Sequence, residues 1–173
     1  MGDKKRIGSD QNLLDKVLSP YFSKVKYLKS AEVRIGDSEN TNDISLICDL
    51  GFQESCYIES TGHFNSVEFN ISYNQMLYYM MAISVQHRLV ESLRHWCLSD
   101  FFRKQLVDVY ITHFESQFKS PINPVHYSGE FRLLESKRRT GDKPRIYLKT
   151  SCKFYDVNKG LSQGLVDIVI IDD

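Results

Sequence analysis

Between Tyr57 and Gln75 the chain reads Y-I-E-S-T-G-H-F-N-S-V-E-F-N-I-S-Y-N-Q, its densest run of groups able to act on a polarised carbonyl. Tyr57 carries a phenol that can donate a hydrogen bond to a developing oxyanion. Asn74 can hold a carbonyl or orient a water, and His63 and Asn65 sit in the Thr-Gly-His-Phe turn between the two. That turn leads toward an apolar segment with helical character. The entrance of such a helix offers free backbone N–H groups and the positive end of its dipole, both suited to an oxygen gaining negative charge. Each residue also has a quieter reading. Tyr57 could close a strand end, Asn74 could bond nearby loop backbone, and His63 could brace its own turn. Of the two carboxylates in the run, Glu59 reads as solvated and Glu68 as the partner of an arginine or the cap of a turn.

The elements that must position this run follow from hydrophobic period. Residues 1–10 are polar and read as a loose lead-in, with 11–173 as one domain by length. Leu13, Leu14, Val17 and Leu18 mark a short helix that Pro20 closes. Alternation at Val25, Tyr27, Ala31, Val33 and Ile35 gives a strand, and Gly36–Asn40 is turn chemistry. A second strand alternates from Ile44 to Phe52. Residues 73–86 are apolar on nearly every side, as expected of a core helix, with Asn74 at its head. Its Met76, Tyr78 and Met81 are core residues by default, and candidates to line an apolar substrate pocket. A short helix over 98–106 has Ser99 as its expected N-cap. Four strands near 107–115, 127–135, 145–155 and 164–171 complete the pattern. Leu165–Ile171 is almost continuously apolar, which predicts a central strand covered on both faces. Strands grouped about one buried helix give an α+β fold, an antiparallel sheet wrapped on that helix. This is the hot-dog layout, although period alone leaves other α+β folds open.

Composition narrows the function. The chain has 22 Lys plus Arg and 22 Asp plus Glu, so no net charge favours nucleic acid or anionic lipid. No apolar run has the length of a membrane span, and the charged start lacks the apolar region of a secretory signal. A cytoplasmic location is expected. Cys48, Cys56, Cys97 and Cys152 have no C-x-x-C spacing, and Cys48 and Cys152 fall on the apolar phase of strands as small hydrophobes. The five histidines form no metal-like cluster, and no cofactor is expected.

The run Y-I-E-S-T-G-H-F-N-S-V-E followed by Y-N-Q resembles the FcoT family of long-chain acyl thioesterases. So do S-P-Y (Ser19, Pro20, Tyr21), L-S-D-F (Leu98–Phe101) and F-K-S-P-I-N-P (Phe118–Pro124), in order over roughly residues 11–171. The resemblance implies a hot-dog fold, an assembly of dimers or multiples of dimers, and a tunnel for a long acyl chain carried by coenzyme A or an acyl carrier protein. It places catalytic residues at Tyr21, Tyr57, Asn65 and Asn74. His63 matches as well, its role resting on the residue reading alone. The expected reaction is hydrolysis of the thioester. Some FcoT-like proteins are instead assigned to isonitrile lipopeptide pathways, where glycine adds to the β-carbon of an enoyl thioester. A silent acyl-binding module is the further alternative. His63-Phe64 ahead of an apolar helix is also similar to β-hydroxyacyl-carrier-protein dehydratases. Asn74 stands where their acid would be and Asn65 replaces a proline, which argues against dehydration. The basic group Lys137, Arg138, Arg139, Lys143 and Arg145 reads as a solvated turn or as a contact for coenzyme A phosphates or an acidic carrier protein.

Overall fold

The computed structural model describes residues 5–36, 43–59 and 61–173. Seven strands form one sheet in the order β1-β2-β3-β5-β6-β7-β4, antiparallel at every pairing. They are β1 (Lys5–Ile7), β2 (Leu28–Ile35), β3 (Ile44–Leu50), β4 (Val109–Ser120), β5 (Tyr127–Arg139), β6 (Arg145–Tyr155) and β7 (Leu161–Ile171). Three α-helices accompany them, α1 (Gln11–Val17), α2 (Ser66–His87) and α3 (Leu98–Lys104), with single 3-10 turns at Ser23–Val25 and Glu91–Leu93. The expected helix and strands are therefore present, and α2 lies against the sheet as the wrapped element.

Because α2 is apolar around its circumference it must be covered on several sides. Phe69, Tyr73, Met76, Leu77, Met80 and Ile83 are each 0% exposed. Two glycines let it sit close to the sheet. A Cβ on Gly129 would come within 2.8 Å of Met76 Sδ, and one on Gly164 within 2.8 Å of Phe69 Cζ. Gln75 ties the helix to the start of β2. Its Nε2 donates to Val25 O at 2.6 Å, and its Oε1 accepts from the N–H groups of Tyr27 and Leu28 at 3.0 and 2.9 Å.

Several expectations need correction. The described part of the lead-in is not loose: Lys5–Ile7 pairs with β2, Ser9 Oγ accepts from Ala31 N, and Asp10 caps α1. Beyond Gly36, the expected Gly36–Asn40 turn lies outside the described residues. Helix α2 begins at Ser66, two turns ahead of the expected start, because Asn65 caps it by accepting from Val67 N at 2.9 Å. The N-cap of α3 is Cys97 rather than Ser99; Asp100 accepts from Cys97 N and closes the cap. Strand β7 is covered on one face only. Val166, Ile168 and Ile170 are buried while Leu165 is 46% exposed, because β7 is second from the sheet edge and its other face has no layer over it. On β4 a bulge between Ile111 and His113 shifts the alternation, so Val109 and Phe114 both face the core.

Candidate active site

The entrance of α2 gathers three of the expected residues. Asn65 is the centre of the arrangement: its Oδ1 caps the helix while its Nδ2 donates to the Tyr57 hydroxyl at 3.1 Å. With its oxygen occupied as acceptor, the Tyr57 O–H keeps its proton to give, and none of the described residues takes it. Tyr57 is half exposed, in the irregular segment between β3 and α2. His63 is exposed and bonds within its own turn, Nδ1 to Thr61 O at 3.1 Å, while Thr61 Oγ1 donates to His63 O. A cleft of about 390 Å³ opens here, lined by His63, Asn65 and Ser66 on one side and by Phe118, Lys119 and Pro121 at the end of β4 on the other. Ser66 is the first helical residue, so the cleft meets the helix at its positive end, where an anion or oxyanion is favoured.

Asn74 and Tyr21 lie elsewhere. Asn74 is in the third turn of α2, about 13 Å along the axis from Asn65 at the usual rise per residue. Its Nδ2 donates to Asn70 Oδ1 at 3.3 Å, and Tyr78 follows one turn later. Tyr21 is partly buried; burial raises its phenol pKa, helped by the neighbouring Tyr78 phenol. So Asn70, Asn74, Tyr78 and Tyr21 form a second polar-aromatic group on a part-exposed stripe of the helix. Met76 and Met81 are both fully buried, packed into the core. The expected site residues thus fall into an entrance group, a mid-helix group and a core pair.

Sequence reasoning missed what lies beneath Tyr57. Glu68 is 1% exposed, and neither an arginine nor a capping contact takes its carboxylate. Its Oε1 accepts from Ser55 Oγ at 2.9 Å, and its Oε2 has no partner. The Tyr27 hydroxyl is also buried without a partner in bonding geometry. Burial raises the Tyr27 pKa, and the nearby Cys56, Glu68 and Tyr57 raise it further, which places these four groups together. Close by, the Ser72 hydroxyl donates to Glu68 O and accepts from the Tyr127 hydroxyl, at 2.7 Å each. The signal available in sequence was an acidic residue three places after an asparagine cap, on the apolar side of the helix.

A seven-stranded antiparallel sheet laid over one long helix is the hot-dog fold. A zebra fish thioesterase superfamily member 2 structure superposes with a TM-score of 0.54 at 9% identity, covering 92% of this chain and 94% of that one. More specifically, the FcoT-like thioesterase domain matches residues 16–170, and the chain belongs to that family. A (2E)-enoyl-ACP glycyltransferase of Streptomyces coeruleorubidus is 39% identical over 166 residues, covering 95% of this chain and 98% of its own. Another of the same name, from Mycobacterium marinum, is 34% identical over 94% of this chain and 86% of its own.

Proposed function

We propose that this protein adds glycine to the β-carbon of a (2E)-enoyl thioester carried on an acyl carrier protein. The observation that carries the reading is the end-to-end likeness to the Streptomyces coeruleorubidus glycyltransferase at 39% identity. The geometry of the helix entrance supports it. Conjugate addition turns the thioester into an enolate, so the carbonyl oxygen must be stabilised as charge builds on it. Tyr57, aimed by Asn65, donates to that oxygen, and the positive end of the α2 dipole favours the same charge. The thioester approaches through the cleft beside His63 and Phe118. The basic turn at Arg139, Lys143 and Arg145 is a contact for the acidic carrier.

Asn74 and Tyr21 belong to the same reaction only if another copy supplies them, since Asn74 stands about two and a half turns from Asn65 on its helix and Tyr21 lies beside Tyr78, a turn further on. The cleft is lined by the end of β4, and β4 is an edge strand with Tyr110, Ile111 and Phe118 exposed. A second copy pairing along that edge brings its residues to the cleft and covers the exposed row. Hydrolysis is the second reading, favoured by the thioesterase description of the family.

One experiment separates them. The protein is incubated with a panel of 2-enoyl and saturated acyl carrier-protein thioesters, with and without glycine, and the products are weighed by mass spectrometry. A mass gain of one glycine, on enoyl substrates only, is the expected result. Free acid from saturated substrates, with no adduct anywhere, overturns the reading in favour of hydrolysis.

A further inference from the structure

Deep in the first turn of α2, a carboxylate is buried with half of its bonding capacity unused. Ionised carboxylates are acceptors with two oxygens, and burying one without a cation or a full set of donors is costly. Glu68 is 1% exposed, has one donor, Ser55, and pairs with no Lys, Arg or His among the described residues. The Tyr27 hydroxyl beside it is also buried without a partner in bonding geometry, with the Cys56 thiol as its neighbour. Of the three buried side-chain polar atoms without partners among the described residues, two are therefore in one place. The place adjoins the surface: Ser55 and Cys56 are part-exposed and Tyr57, which follows them, is 50% exposed. An ordinary structural role would use the second oxygen to close the capping box on Asn65 N, and that bond is not formed.

We infer that Glu68 is the acidic centre of the site: its free oxygen receives the ammonium group of the amino-acid co-substrate and then takes its proton. This rests on the glycine-adding reading above and assigns the base that reaction requires. Glycine enters as an ammonium ion, which has no lone pair to attack with. One N–H proton passes to Glu68, and the freed lone pair forms the N–C bond at the β-carbon. The Cα=Cβ electron pair moves into the thioester as an enolate, held by Tyr57. The α-carbon then takes the proton from Glu68, and the carboxylate is restored. One proton has moved from nitrogen to carbon and nothing else is consumed. Tyr27 provides a hydroxyl that hydrogen-bonds the bound amine. With Glu68 1% exposed, shielding from solvent strengthens the ion pair relative to one in water.

The test uses Glu68→Gln, which keeps the acceptor for Ser55 and removes the charge. Adduct formation is followed on a (2E)-enoyl carrier-protein thioester while glycine is varied. Melting temperature and binding of the enoyl thioester without glycine are measured beside it. Expected is a fall of about 10² or more in kcat/KM for glycine, with enoyl binding and melting near wild type. A folded Glu68→Gln with glycine kinetics close to wild type overturns the inference and leaves the glycine-adding reading standing. Wild-type protein that forms no adduct at any glycine concentration overturns both. If Glu68→Gln does not fold, Ser55→Ala replaces it. That variant removes the one donor to the carboxylate from a part-exposed position, and is expected to change glycine kcat/KM by about tenfold. Unchanged kinetics in Ser55→Ala would count as refutation.

Discussion

Two carboxylates are buried among the described residues, and the molecule treats them in opposite ways. Asp172, at the end of β7, is surrounded by donors. His95 Nε2 approaches at 3.0 Å, Trp96 Nε1 donates at 2.7 Å and Arg138 Nε at 2.6 Å. Glu68, at the entrance of α2, has one neutral donor and an oxygen left over. Asp172 joins three separated parts of the chain, the loop before α3, the far end of β5 and the C-terminal end of β7. Its charge is spent on holding them. The charge of Glu68 holds only a surface loop. A buried charge that is fully matched stabilises one arrangement, whereas one left partly matched has a use for something that binds. The contrast separates scaffold from site more sharply than exposure does, because both groups are inside.

Substitutions should divide along the same line. The largest effect is expected at the site end, for Tyr57→Phe. Removal of one oxyanion donor costs about 10²–10³ in turnover, roughly 3–4 kcal/mol of transition-state stabilisation. The half-exposed ring stays in place, so the melting temperature should stay within a degree or so of wild type. Adduct formation and a melting curve on the same sample decide it; a lowered melting temperature with normal turnover would assign Tyr57 to packing. Asp172→Ala should do the reverse. Leaving Arg138 and Trp96 without their acceptor is expected to cost about 3 kcal/mol of stability, or roughly 6–12 °C in melting temperature for a chain of this size. Activity per folded molecule should be unchanged. A catalytic loss in Asp172→Ala without loss of stability would erase the distinction.

A smaller effect follows from protonation. Burial alone would raise the Asp172 pKa, but the hydrogen bonds from Arg138, Trp96 and His95 outweigh it and hold the carboxyl below 3.8. Its folded value is therefore depressed, so its contribution to stability is complete above the unfolded pKa near 3.9 and is lost as pH falls through the folded one. The stability advantage of wild type over Asp172→Asn should be constant from about pH 7 to pH 5 and should shrink below about pH 4. Denaturant midpoints at several pH values measure it. A gap that widens in acid would mean that Asp172 is not the charged member of this cluster.

Period-two and apolar-helix patterns made most of the fold readable, because a strand with one buried face must alternate and a wrapped helix must be apolar all round. What they could not give were contacts that depend on distant parts of the chain. The pairing of Lys5–Ile7 with β2 is invisible in three polar-flanked residues. The β4 bulge hides Phe114 from an alternation counted from Val109. The early start of α2 escaped notice because its first turns, Ser66–Asn70, are mixed in polarity, and only the Asn65 cap marks the boundary. That shift of two turns altered the site. Tyr57 and Asn65 meet at the entrance, but Asn74 is displaced from the head of the helix it was expected to occupy. Glu68 was visible as a residue and not as a problem: only the structure reveals that nothing pairs with its second oxygen.

The displacement of Asn74 gives the last test. If Asn74 acts on the thioester held by Tyr57, it must come from another copy, since Asn65, which bonds Tyr57, lies about 13 Å from Asn74 along their helix. Tyr57→Phe and Asn74→Ala would then be defects in different halves of one composite site. Each variant alone has every site impaired. When the two are unfolded and refolded together in equal amounts, half of the dimers contain one chain of each kind. In such a dimer one site collects both substitutions and the other receives neither. About a quarter of wild-type activity should therefore return, from a mixture of two inactive proteins, by the symmetry of a two-fold assembly. Asn74→Ala is suited to the experiment because the side chain is part-exposed and bonded only to Asn70, so folding should change by no more than about 0.5 kcal/mol. Activity in the mixture equal to the mean of the separate variants would mean that each chain builds its site alone. Asn74 would then belong with Tyr78 and Tyr21 on the open stripe of α2, away from the carbonyl.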